Sequence, residues 1–365
     1  VRISGSPSAV GAVRLSNNLN MRLRIVGALA LLLSFLSLPA GAQSWSVRGS
    51  SSADLWYHAV ALTGYDRFGA APLYAPGYAA SVRRSRELRG VGPTPIERHA
   101  DGLREAFLAD SAFEILHFVP LYFPLADVDE LLAAVAVVAR DGMSAVGGLG
   151  PRTRFGAAAL AATLQAPAER AVLGRFAADA REEWLQAYRD ERGAEIPARS
   201  AAIAAAARTW DERVFPGVGQ ALRQRALAGG VVLVVPALGP DGRIFAGDPA
   251  SGGDNLVAVH LDLSPAAAGQ PAWLALREMS YTIARERLGR AGQLPPDPPA
   301  AEPLIGRAAT RLGAQALAGD PAAVSDYQRA LLSAAGLPAP SDPAAAFRAA
   351  FPLSPDAARA LEITD

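Results

Sequence analysis

"NLVAVHLDLSPAAAGQPAWLALREMSYTIARERL", residues 255–288, changes its hydrophobic period once, and that change sets the fold class. Asn255 to Leu263 alternates at the two-residue period of a strand. From Pro271 to Leu288 the apolar residues return at helical spacing, with Leu276, Met279, Ile283 and Leu288 able to line a core face. Immediately upstream, "GGVVLVVPALGPDGRIFAGD" (229–248) holds a β-branched run from Val231 to Val235, a turn at Gly239-Pro240-Asp241-Gly242 and a short second strand at Arg243 to Ala246. The expectation is a small antiparallel sheet that directly precedes a helix.

Outward from this stretch the chain is helical on both sides. Thr94-Pro95-Ile96-Glu97 is a capping box with proline in the first turn, and Asp127 to Glu130 repeats the device before Leu131 to Arg140. Phe113 to Pro124, interrupted by prolines, reads as a buried extended segment or short helix, with His117 buried and hydrogen-bonded. Phe155 to Leu164, Ala168 to Arg192 and Pro197 to Val214 read as three separate helices. Gly292 to Pro303 reads as a proline-rich extended connector, followed by three or four more helices up to Leu361. The fold class is therefore α+β and predominantly helical. Residues 43–229 form a helical part; residues 230–365, with the sheet and later helices, join it in one compact unit.

Composition removes several chemistries. All basic residues are Arg and Cys is absent, which excludes a P-loop lysine, a Schiff base, a Ser-Lys dyad, a thiol nucleophile and cysteine-ligated zinc. Arg22 and Arg24, the apolar run Ile25 to Leu38 and Ala40-Gly41-Ala42 read as a secretory signal within residues 1–42, so an exported, periplasmic or secreted protein is expected. The remainder carries 31 Arg against 35 acids, a net charge of −4, which argues against nucleic acid as a partner; no membrane association is expected after signal cleavage.

Arg277 and Tyr281 stand four residues apart, on one face of the helix, with Glu278 between them. Two histidines at that spacing reach one zinc ion in a His-Glu-x-x-His helix, and the glutamate polarises the metal-bound water. Val257 to Arg287 resembles the strand, loop and active helix of an exported zincin-type metallopeptidase, with Arg277-Glu278-Met279-Ser280-Tyr281 in the motif's place. The resemblance implies a zincin-like fold with Glu278 as vestigial general base. It also implies a substrate strand at the sheet edge over Asn255 to Leu263, with His260 and Tyr281 in substrate binding. A third, acidic ligand on a later helix would be Glu302, or less well Asp320 or Asp326.

The departure from the motif governs the chemistry. A guanidinium has no lone pair to give zinc, and tyrosine ligates only as a costly phenolate, so no metal and no cofactor are expected at these positions. Arg277 would replace the lost cation by pairing with Glu278, Glu302 or another carboxylate. His58, His99 and His117 form no pair at ligand spacing. Gly217 to Leu222 begins like a dinucleotide loop but lacks the third glycine and reads as an ordinary loop, and Glu182-Glu183 reads as a solvated helix face. Three functions stay open: an inactive pseudo-peptidase that binds an extended peptide or protein, an active metallohydrolase with zinc on a non-standard ligand set, and an interaction protein whose helix has Arg277, Glu278, Arg285 and Glu286 in solvent.

Overall fold

A computed structural model describes residues 45–66, 72–123, 126–224, 227, 229–245, 255–338 and 340–363; the segment expected to be a secretory signal, residues 1–42, lies outside them. Four strands form one sheet: β1 (Trp45–Arg48), β2 (Gly230–Val235), β3 (Arg243–Phe245) and β4 (Asn255–His260). Their order is β1-β2-β4-β3. β1 and β4 both run parallel to β2, with Trp45 opposite Gly230 and Gly230 opposite Asn255, and only β3 is antiparallel, pairing Arg243 with Ala258. The sheet is thus mixed, where an antiparallel one was expected. The turn before β3 does reverse the chain, but β4 inserts between the two strands it joins.

Burial explains the pairing. Val231, Leu233, Val235, Leu256 and Ala258 face a core made with the N-terminal helices, while Val232, Val234, Val257 and Val259 face a second core made with the C-terminal helices. A strand covered on both faces is apolar at every position, which is the habit of parallel strands under helical layers. β1 escaped the sequence reading because four residues with mixed polarity carry no periodicity. Trp45 anchors it, its indole N–H donating to the Leu227 carbonyl at 2.9 Å and its ring packing 5.8 Å from Trp210.

The first layer begins with the buried helix Ser51–Thr63, capped by Ser50. The Phe113 region resolves into a 3-10 turn, Ser111–His117, and a short helix, Val119–Tyr122, with the His117 Nδ1 3.0 Å from the Tyr74 hydroxyl. The two helices expected over residues 168–214 are one continuous helix. It runs through Pro167–Glu183, Trp184–Tyr188, Arg189–Thr209, Trp210–Val214 and Phe215–Gln224, the second and fourth of these being π-helical turns. Pro197 does not end it, and Gly217 to Leu222, read as a loop, is helical.

After β4 comes the motif helix, Gln270–Arg290. The next helix, Pro298–Ala316, starts inside the stretch expected to be extended, because Pro298 and Pro299 occupy its first turn, where no intrahelical N–H is required. Helices Pro321–Ala334, Pro343–Ala350 and Pro355–Ala360 complete the second layer.

Candidate functional site

The motif helix lies between β4 and helix Pro298–Ala316, so its first three turns are enclosed on most sides. Arg277 and Glu278 are accordingly not in solvent. The Arg277 side chain is 11% exposed, and Glu278 is buried beneath the turn before β3. The guanidinium bridges two carboxylates, with Nη1 at 2.6 Å from Glu278 Oε1 and Nη2 at 2.6 Å from Asp241 Oδ1, while Nε donates to Thr310 Oγ1 at 3.2 Å. The Gly242 N–H donates to Glu278.

Glycine makes the room. A Cβ on Gly242 would lie 2.7 Å from Glu278 Cγ and collide with the Ala258 carbonyl, and one on Gly306 would meet Arg277 Nη2 at 3.2 Å. Burial pushes the Glu278 carboxyl above its usual range, with Arg277 and the Gly242 N–H opposing it. Burial acts to lower the Arg277 guanidinium, but Asp241 and Glu278 outweigh it and hold the cation more firmly than in water.

One turn further on, the Tyr281 hydroxyl donates to Glu302 on the neighbouring helix. Arg277 opposite Gly306 and Thr310, with Tyr281 opposite Glu302, shows that the two helices run antiparallel and that both side chains face the same partner. Arg277 therefore pairs with Glu278 and Asp241, whereas Glu302 pairs with Tyr281.

His260 stands elsewhere. It follows Ala258 on the sheet face turned toward the N-terminal helices, at the backbone of Leu238 and Pro236, where burial lowers its pKa. It does not share a recess with Glu278, which lies on the opposite face. Nor is Asn255–His260 an edge: β2 and β3 flank it, and the outer strands among the described residues are β1 and β3. Asp320 caps helix Pro321–Ala334, and Asp326 pairs with Arg213 at 2.9 Å, so neither reaches the motif.

Asp241, Thr310 and the two glycines were not singled out as site residues. The Gly239 to Gly242 turn was legible as a turn, but nothing local in it names Arg277 as a partner.

The donor set at the motif does not fit zinc. A guanidinium fills the junction, and the two carboxylates nearest to it already share its charge. A second cluster, His58, Glu183 and Glu191, brings three ligand-type atoms within 4.8 Å of one another. It is no better suited, because Arg86 lies among them, paired with Glu183 and, through Nε and Nη2 at 2.9 Å each, with Glu191. Glu183 is fully buried rather than solvated, and its Oε1 lies 2.8 Å from His58 Nε2. Tyr188 stacks on the His58 ring at 3.9 Å, and the Tyr78 hydroxyl is 2.9 Å from Nδ1. His58, Arg86, Thr94 and Glu97 thereby fasten the helices of the first layer to the long helix.

Comparison with protein-family models, curated proteins and solved structures finds no match, and the residues alone carry the functional reading.

Proposed function

We propose that the protein is a non-hydrolytic, peptide- or protein-binding protein built on a zincin-like junction of strand, motif helix and later helix, in which a guanidinium stands where the peptidases hold zinc. The observation that carries this reading is Arg277, bridging Glu278 and Asp241 while Tyr281, one turn away on the same face, engages Glu302. Glu278 keeps the position of a general base but faces Arg277 and the Gly242 N–H in place of a metal-bound water. The strand available for adding an extended chain at this end of the sheet is β3, since β4 is interior.

The test restores the ligands. In the double variant Arg277→His, Tyr281→His, two imidazoles four residues apart face the helix that carries Glu302. The expected outcome is one zinc per folded chain by metal analysis, lost again on adding Glu302→Gln. A folded double variant that takes up no zinc overturns the zincin-like reading. Chelator-sensitive peptide hydrolysis by the unaltered protein overturns the claim that it is silent.

One observation favours a second reading, an interaction protein without peptidase kinship: Glu278 lies sealed under Gly242, and His260 is on the far side of the sheet. On that reading Arg277, Glu278 and Asp241 are a structural ion cluster, and the histidine variant binds no zinc.

A further inference from the structure

Away from the Glu278 junction, a cavity of about 420 Å³ opens where the second π turn of the long helix meets the start of the motif helix and helix Pro321–Ala334. Such a volume suits a small ligand. Its polar wall is set by Arg213 and Arg329, which share one carboxylate: Arg213 Nη2 lies 2.9 Å from Asp326 Oδ2, and Arg329 Nη1 lies 3.3 Å from Oδ1. Two guanidiniums against one carboxylate leave a net single positive charge, and among the described residues no other acidic side chain lines the cavity.

Trp273 also lines the cavity. It is 4% exposed. The remaining wall is mixed, with the polar Thr209, Gln270 and Ser333 beside the apolar Leu332 and Leu337.

We propose that this cavity binds a monoanionic carboxylate carried on an apolar body. The carboxylate sits against Arg213 and Arg329, an oxygen of the ligand accepts from the Trp273 indole, and the apolar part packs on Leu332 and Leu337. A single excess charge suits a carboxylate better than a phosphate dianion, and planar guanidiniums offer it paired donors. The inference does not depend on the zincin-like reading, because none of these residues belongs to the Arg277 cluster.

The carboxylate has two sources, a free small acid or the C-terminus of a peptide. Calorimetric titration of the full chain with N-acetyl-leucine, N-acetyl-leucinamide, a tripeptide ending in free leucine and inorganic phosphate separates them. Binding of a free-acid probe at least about tenfold tighter than the amide is expected, with loss of about tenfold or more in Arg213→Gln and in Arg329→Gln. Both positions are partly exposed, so these variants keep the fold. Trp273→Phe, which keeps the ring but loses the N–H, also weakens binding. Whichever free-acid probe binds more tightly identifies the source. Equal binding of acid and amide, phosphate binding as tightly as N-acetyl-leucine, wild-type affinity in both arginine variants, or no binding of either free-acid probe at millimolar concentration would each overturn the proposal.

Discussion

At the scale of single residues, the main cost at the motif is that of holding charge away from water, and Arg277 meets it by touching two carboxylates at once. Removing one partner of such a cluster leaves the others buried and uncompensated. Arg277→Met is therefore expected to destabilise the protein by about 3–5 kcal/mol, measured by urea unfolding. Replacing all three members with apolar side chains of similar size should cost less than that single change, and a triple variant that is less stable than Arg277→Met contradicts this account. Gly242→Ala probes the same recess from the other side. Its Cβ meets the Ala258 carbonyl, which is backbone and cannot step aside, so a loss of about 1–3 kcal/mol is expected. Gly313 does the same service for Tyr327, whose hydroxyl reaches the Thr310 carbonyl at 3.0 Å and occupies the space a Cβ would need.

Among the elements, the long helix is the one whose form depends most on distant contacts. A π turn carries one extra residue, so the side chains beyond it are rotated by about a third of a turn relative to an unbroken α-helix. Just before the first π turn Glu183 reaches His58 and Arg86; at its last residue Tyr188 covers the His58 ring, and beyond it Arg199 pairs with the buried Asp54 at 3.1 Å. The extra residue keeps both groups facing the helix Ser51–Thr63. Deleting Leu185, which is 48% exposed and packs little, should convert the turn to α-helix and rotate one group off its partners. The expected result is a large fall in melting temperature with helix content retained, followed by circular dichroism. Unchanged stability would mean that the π turn has no part in the register. Nothing in the local sequence announced this turn, because WLQAY is an ordinary helical stretch; only the two flanking sets of contacts require it.

Across the whole molecule, the first layer of helices responds to pH through the groups that tie it to the long helix. Glu183 loses solvation on burial, but His58 and Arg86 more than offset this, and its carboxyl is held down to about 2. A carboxyl whose folded pKa lies below its unfolded value of about 4.3 binds its proton more readily in the unfolded chain. Its contribution is complete above that unfolded value and disappears as pH falls from there toward about 2, a change on the order of 3 kcal/mol. Glu183→Gln should flatten the acid limb of stability against pH, and an unchanged limb would exclude Glu183 as its source. The positions of β2, β4 and the motif helix, and the α+β class, were legible in the sequence because apolar periodicity reports which local conformation buries each segment. That periodicity is short-ranged, which is why it also ended one helix at Arg192 and began another at Pro197. What only the tertiary structure decided was partnership: Trp45 beside Gly230, β4 between β2 and β3, Arg277 with Asp241, Glu183 with His58, and His260 on the face away from Glu278. Each of these joins residues whose proximity depends on the packing of everything between them, and no local pattern of side chains encodes it.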